Sequence, residues 1–579
     1  MSQIHATGVP ALMPLSIAFV GAGPTTIYTL CALLGEEILP AEITIFEEQP
    51  RAGLGTPYRP GWNDPAMLSN IASIEIPPIE ETLIAWLERQ PRARLVRLGI
   101  DPDQIDDHAF YPRLALGEYF LDQFTALIAR ARDRGITVEI ATRCRVLDIA
   151  VVADGLCLSV GPAKGASYQR TFDRVVLATG HRWPEEPEVR PGYFLSPWPA
   201  TALQRIPAAR VGIRGSSLTA IDAAVALAVA HGTFIEIDHQ AIDYRINPGA
   251  EAFDMTMMSR KGLLPEADFH HPVPYEPLAI CTPEAVNRLI EEQCDTLLDQ
   301  SYALFKRELA HADPAYAEQV GLESLALEDF ADRYFADRVA ADQFAWAERN
   351  LAEARANYEA GVTVPWRYAI LRMHEVLALI APHLDADALD RFNHYLKPVF
   401  VDEYATVPHV SIERMLALHR AGRLSVVALG DGARIDTHGE ESGATVIRNG
   451  DREHYPVFIE ATGQRPLAID TFPFPTLLEQ KVVCDAAEGD ENGPKGVAID
   501  EAFHPVSENP AAQRLYCLSI PYILGRHPFI QGITSSHEMG NIVGAELAKP
   551  IDADATEIGA RASEDRPFEG AERPQQISA

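Results

Sequence analysis

Ser16-Ile17-Ala18-Phe19-Val20-Gly21-Ala22-Gly23-Pro24-Thr25-Thr26 reads as a buried strand, a glycine turn and the start of a helix. Residue types at this spacing suit the pyrophosphate of a dinucleotide. Gly21 allows a sharp turn, Gly23 lets the backbone approach the phosphates, and the N–H groups of a helix opening at Pro24 and Thr25 point at them. Thr26 stands at the third small-residue position, which governs how closely helix and strand pack, and a hydroxyl residue there weakens the match without breaking it. The next apolar run, Ile43 to Phe46, closes on Glu47 and Glu48, and a carboxylate in that place accepts hydrogen bonds from a ribose diol.

A second glycine turn, Val211 to Ala220, repeats the arrangement in a looser form. Gly215, Ser217 and Ala220 hold the small-residue positions, with Ser216 inside the turn, ahead of the apolar helix Ile221 to Ala230. The strand Met255 to Met258 then ends in Ser259-Arg260-Lys261-Gly262. An NADH-preferring fold places an acid there; Arg260 instead suits a 2′-phosphate and favours NADPH over NADH, unless the two basic residues merely decorate a strand end. Two strands end in Ala-Thr-Gly, one at Thr179-Gly180 and one at Thr462-Gly463, a recurrence found in two-dinucleotide flavoproteins. His181 is then either a catalytic base or a hydrogen-bonded histidine at a domain crossover.

Groups for a flavin ring come from other stretches. Asn70 and Ser73, polar residues embedded in an apolar segment, either donate hydrogen bonds beside the ring or belong to a packed connector. Gln531-Gly532-Ile533 introduces a helix from Thr534 to Leu547 whose N-terminal dipole would stabilise the negative charge of reduced flavin. Asn70 and Gln531 are therefore the candidate catalytic donors. Arg113 opens a helix, where a cation gains nothing from the dipole, so a phosphate or carboxylate partner would account for it, as would a simple surface position. Trp366, Arg367 and Arg372 form a polar-aromatic group that would either bind an anionic substrate or make interdomain salt bridges.

The elements that must position these groups follow from periodicity. Helical stripes cover 27–34, 81–89 and 114–134, the last with Leu116, Phe120, Phe124 and Leu127 on one face. Short strands read over 138–140, 145–151, 157–160 and 175–178, and 236–254 reads as an insertion. The chain has 579 residues, enough for several domains. The expected architecture is α/β: two Rossmann-like dinucleotide-binding domains with a largely helical insertion. Residues 1–200 and 456–549 form the FAD unit, 201–282 and 396–455 the NAD(P) unit, 283–395 the insertion over the substrate, and 550–579 a disordered acidic tail.

Composition excludes several functions. With 49 basic and 82 acidic residues, the formal charge of −33 opposes nucleic acid and anionic membranes. Seven scattered cysteines without a Cys-x-x-Cys pair argue against a flavin disulfide reductase and fit reduced thiols in a cytoplasmic protein. No apolar run is long enough to span a bilayer, the stretch from Pro10 to Val20 lacks the basic start of a secretory leader, and no metal site is indicated.

Gly21-Ala22-Gly23-Pro24, Ile71-Ala72-Ser73-Ile74-Glu75-Ile76-Pro77-Pro78, Leu116-Gly117-Glu118-Tyr119-Phe120, Thr363-Val364-Pro365-Trp366-Arg367-Tyr368 and Gly463-Gln464-Arg465-Pro466-Leu467 together resemble the bacterial FAD-NAD(P)-binding family, and within it the YdhS-type proteins. The resemblance spans nearly the whole chain before the acidic tail. More distantly, the sequence is similar to flavin-dependent N-hydroxylating monooxygenases and a urate hydroxylase group. These resemblances imply FAD plus NADPH and fix no substrate. The leading expectation is an FAD-dependent, NAD(P)H-using monooxygenase of a small polar molecule. A reductase with another electron acceptor and a non-catalytic nucleotide-binding protein stay open, as does the oligomeric state.

Overall fold

Val, Ile and Phe, which pack well on a pleated surface, dominate 17–20 and 43–46, and both runs are buried parallel strands. In the computed structural model, which describes residues 11–184, 186–238, 241–293, 296–487, 493–530 and 532–551, β1 (Ala11–Val20) leads through α1 (Pro24–Leu33) to β2 (Ile38–Glu47). The connection that follows holds two short helices, Leu83–Glu88, within the expected 81–89, and Arg92–Arg97, and leads to α2 (Arg113–Asp133) and β3 (Thr137–Thr142). The antiparallel strands β4 (Cys144–Val152), β5 (Gly155–Pro162) and β6 (Tyr168–Phe172) come next, and β7 (Arg174–Leu177) returns to lie beside β1.

The second unit begins earlier than expected, at the hairpin β8 (Glu188–Arg190) and β9 (Tyr193–Phe194). It continues through β10 (Arg210–Arg214), α3 (Leu218–His231), β11 (Gly232–Asp238), β12 (Ala241–Ile246) and β13 (Asp254–Ser259). The insertion includes α4 (Pro283–Glu291), α5 (Leu297–Ala312), α6 (Leu327–Ala340), α7 (Gln343–Ala360), α8 (Pro365–Ala378) and α9 (Lys397–Tyr404). After α10 (His409–Arg420) come β14 (Leu424–Ala428), the antiparallel trio β15 (Arg434–Asp436), β16 (Ala444–Arg448) and β17 (Asp451–Tyr455), and β18 (Val457–Glu460). β19 (Leu515–Cys517) and α11 (Gly532–Leu547) complete the first unit.

Two parallel sheets result. The first has the order β19-β7-β1-β2-β3; the second runs β14-β13-β10-β18-β9-β8 and is parallel except for its terminal hairpin. Each has its own apolar core, and the insertion has a third, built on Phe305, Phe330, Phe392 and Phe400. The stripe Leu116, Phe120, Phe124 and Leu127 is buried along α2. α11 lies close on α1 because Gly540 and Gly544 carry no side chain: a Cβ at Gly540 would come 2.8 Å from the Thr29 nitrogen.

Three expected boundaries shift. β18 was expected with the first unit from residue 456, yet it fills the place beside β10 away from β13, with Phe458 opposite Gly212. The insertion does not stop at residue 395, because α9 continues its core through Val399 and Phe400. The expected insertion 236–254 begins inside the β11–β12 hairpin, in which Phe234 packs 5.1 Å from Tyr244. The expected acidic tail falls, from residue 552 on, outside the described residues. Among the described residues no helix is long and apolar enough to cross a membrane.

Candidate functional site

The two glycine turns share one geometry. Gly21 has φ +105°, and a Cβ there would lie 2.2 Å from the Ala178 carbonyl oxygen. Gly215 has φ +134°, and its Cβ would lie 2.3 Å from the Ala461 carbonyl oxygen. Both alanines open an Ala-Thr-Gly, so the repeated tripeptide is the neighbouring strand end against which each turn closes. Thr26 is fully buried and donates from Oγ1 to the Gly21 carbonyl at 2.7 Å, so the hydroxyl in the third small-residue position pins the turn.

Gly23 and Ser217 cap α1 and α3 without a side-chain hydrogen bond, and neither helix has an acid in its first turn. Their leading N–H groups are left for an external anion. Pro24, at the first helical position, has no N–H to leave unpaired, and Thr25 Oγ1 lies 3.1 Å from Ser536 Oγ of α11. Glu47, at the end of β2, accepts from the Ala22 and Gln49 nitrogens at 3.2 and 2.8 Å, and burial raises its pKa. Its carboxylate keeps lone pairs for a diol. Glu48 is exposed, 3.8 Å from Arg145. Ser216 is buried and donates to Leu263 O at 2.6 Å, fixing the second turn.

A cavity of about 1800 Å³ joins the two units and the insertion. That exceeds the roughly 300–1,000 Å³ of a drug-sized site. Gly215, Ser216, Ser217 and Gly463 line it from the second unit, Asn70 and Arg113 from the first, and Gly532 and Ile533 from the start of α11. Asn70 is exposed there with no hydrogen-bond partner among the described residues, whereas Ser73 turns away to donate to the Asp107 carbonyl. Gln531 lies outside the described residues. Thr179 is fixed by Ser519 at 2.8 Å and Tyr522 at 3.0 Å, and Gly180 follows with φ +71°. His181 lines the cavity with its Nδ1 buried and without a hydrogen-bond partner among the described residues, and burial lowers its pKa.

Four expected binding residues have other partners. Arg113 pairs with a carboxylate: its Nη2 lies 2.7 Å from Asp222 Oδ2 on α3. Arg367 is no substrate ligand, because its guanidinium is buried between Glu403 at 2.8 Å and Glu266 at 3.1 Å with Phe269 below it. Arg372 donates to the Glu276 and Pro277 carbonyls, and Trp366 stacks on Tyr316 at 4.4 Å. None of these last three lines the cavity; α8 turns Leu371, His374, Glu375 and Ala378 to it instead. Arg260 is exposed at the end of β13 without an ion-pair partner among the described residues, while Lys261 pairs with Asp332 at 2.6 Å.

Titratable side chains outside the two glycine turns give the cavity its electrostatics. Glu75 is pushed up to about 7 by burial and by Asp268. Glu538 of α11 is likewise pushed up to about 7 by burial and Glu375, and Glu375 is itself raised by burial. His374 is pushed down to about 4 by burial and is therefore neutral near pH 7. Ser535, Glu538, Met539 and Ile542 line the cavity at helical spacing, a pattern visible in the sequence of α11. Glu75 and Glu375 carried no comparable signal, because their meeting depends on how α8 packs.

Residues 18–182 match the FAD-NAD(P)-binding domain, and residues 282–404 the YdhS-like middle domain, whose limits are those of the helical insertion. The protein YdhS of Escherichia coli (strain K12) is 41% identical over 535 residues, 92% of this chain and 97% of that one. The chain belongs to the YdhS family. Its cofactors are FAD and a nicotinamide dinucleotide, and the turns at Gly21 and Gly215 fit two such groups. Among solved structures, ornithine N-hydroxylase KtzI of Kutzneria sp. 744 is 14% identical over 92% of this chain and 98% of that one, with TM-score 0.48. Cadaverine monooxygenase DfoA of Erwinia amylovora is 10% identical over 97% of this chain and 99% of that one, with TM-score 0.47.

Proposed function

We propose that this chain is an FAD-dependent, NADPH-using oxidoreductase of the monooxygenase type that acts on a small polar molecule. One observation carries the reading: two parallel-sheet units each carry a glycine turn closed on an Ala-Thr-Gly strand end, and between them lies one cavity, lined by Asn70 and Arg113 of the first unit and by the second turn at Gly215 to Ser217. The first would hold the FAD pyrophosphate at Gly21 to Thr26 and its ribose at Glu47. The second would hold NADPH at Gly215 to Ser217, with Arg260 on the 2′-phosphate.

FAD, held at Gly21 to Thr26, would supply the redox chemistry with NADPH and oxygen, so no side-chain nucleophile is required. The chain's own groups orient and shield. Asn70 and the N-terminus of α11 would present donors to negative charge on the bound group, and α8 of the insertion would cover the substrate from the side that Leu371, His374, Glu375 and Ala378 line. The insertion end of the cavity is lined by Glu75, Glu375 and Glu538, which favours a neutral or cationic substrate over an anionic one. Under ¹⁸O-labelled oxygen with NADPH and a panel of small amines, amino acids and neutral polar compounds, one class gains a labelled oxygen atom. NADPH oxidation that yields no labelled product with any of them, yet proceeds with another electron acceptor, would instead establish a reductase.

A further inference from the structure

The seam between the two units carries an unassigned device. Arg113 sits at the N-terminus of α2, where the helix dipole disfavours a cation, and both it and Asp222 are close to nine-tenths buried, at 12% and 11% side-chain exposure. Trp198 lies on the guanidinium, 5.8 Å away. The backbone nitrogen of Arg113 donates to Met67 O at 3.0 Å, fixing the segment that ends in Asn70. One residue therefore anchors the Asn70 segment of the first unit and reaches the helix behind the second glycine turn. A second contact crosses the seam nearby, where the Arg182 nitrogen donates to Gln464 Oε1 at 3.1 Å.

We propose that the Arg113–Asp222 ion pair is an interdomain clasp, and that Arg113 and Asp222 are positioning residues that set the second nucleotide unit against the flavin side of the cavity. Paired domains move relative to one another unless their interface restrains them, and separating a buried charge pair leaves two desolvated groups without partners, which opposes movement at that seam. The clasp rests on the proposed two-cofactor function, since its consequence is the alignment of two bound groups. The pair itself exists without them.

The test uses the full chain carrying non-cysteine spectroscopic labels at Glu37 and Glu251, exposed positions on the two units. Arg113→Gln and Asp222→Asn each broaden the inter-label distance distribution of the cofactor-free protein. They leave FAD content and the NADP⁺ dissociation constant unchanged, and they slow anaerobic flavin reduction by NADPH about 10²-fold, the effect of a misalignment near 1 Å. Arg113→Lys, which keeps the charge, restores the narrow distribution and most of the rate. If Arg113→Gln does not fold, Asp222→Asn, which preserves side-chain volume, carries the comparison with wild type. A distribution unchanged in Asp222→Asn overturns the clasp. So does loss of FAD from Arg113→Gln alone, which would make Arg113 a cofactor ligand. Wild-type protein that NADPH does not reduce refutes the function reading, while the distance measurement still decides the clasp.

Discussion

Adding one methyl group at Gly215 tests the second nucleotide turn. An alanine Cβ there would lie 2.3 Å from the Ala461 carbonyl oxygen and 3.3 Å from the Ala220 Cβ, at φ +134°. The backbone strain costs about 1–3 kcal/mol. Forcing a methyl into packed surroundings costs a further 1–3 kcal/mol or so. The obstacle is main chain on β18's exit, so relief requires the turn to move away from the strand, carrying the Ser217 end of α3 with it. Gly215→Ala should therefore lose several kcal/mol of stability in denaturant unfolding and bind NADP⁺ at least about tenfold more weakly by calorimetry, a loss of 1.4 kcal/mol. FAD content should stay at the wild-type level, because Gly21 closes on a different sheet. Gly21→Ala should show the converse, with FAD lost. A Gly215→Ala protein with wild-type NADP⁺ affinity, or one that loses FAD instead, would refute the assignment of the two turns.

Other substitutions separate binding from support. Arg260→Ala should lower the ratio of NADPH to NADH efficiency in steady-state kinetics about tenfold or more, the loss of one charge-assisted phosphate contact; an unchanged ratio would remove this residue from the coenzyme site. Arg367→Met strips a buried charge from between Glu403 and Glu266 and should cost about 3–5 kcal/mol in unfolding free energy, with flavin reduction in the surviving fold near wild type. Glu75 binds its proton more tightly in the folded state, with its pKa raised from 4.5 to about 7. Its destabilising effect is therefore absent below the unfolded pKa and develops as pH rises through that window. Glu75→Gln should flatten the fall in melting temperature across the window, and an identical pH profile would show that Glu75 is solvated like an ordinary carboxylate.

The glycine turns were legible because their signal is local. Gly21, Gly23 and Glu47 are read from one strand-turn-helix-strand segment, and even the replacement at Thr26 has a local reason in its bond to the Gly21 carbonyl. The repeated Ala-Thr-Gly was visible as well, although its purpose as the wall behind each glycine appeared only in three dimensions. The arginines could not be placed in this way. For Arg113 a phosphate or a carboxylate, and for Arg367 a substrate or a salt bridge, stayed open because their partners, Asp222 and the pair Glu266 and Glu403, are remote in sequence. The acid-lined end of the cavity was hidden for the same reason: Glu75, Glu375 and Glu538 come from three distant segments that meet only in the fold.

Anaerobic mixing of the FAD-loaded protein with NADPH tests the central claim most directly. The two-cofactor arrangement predicts that the flavin absorbance bleaches, and that NADH under the same conditions does so more slowly. A flavin that dithionite bleaches but neither nicotinamide dinucleotide reduces would contradict it, and would leave the second glycine turn as a binding site that no longer serves catalysis.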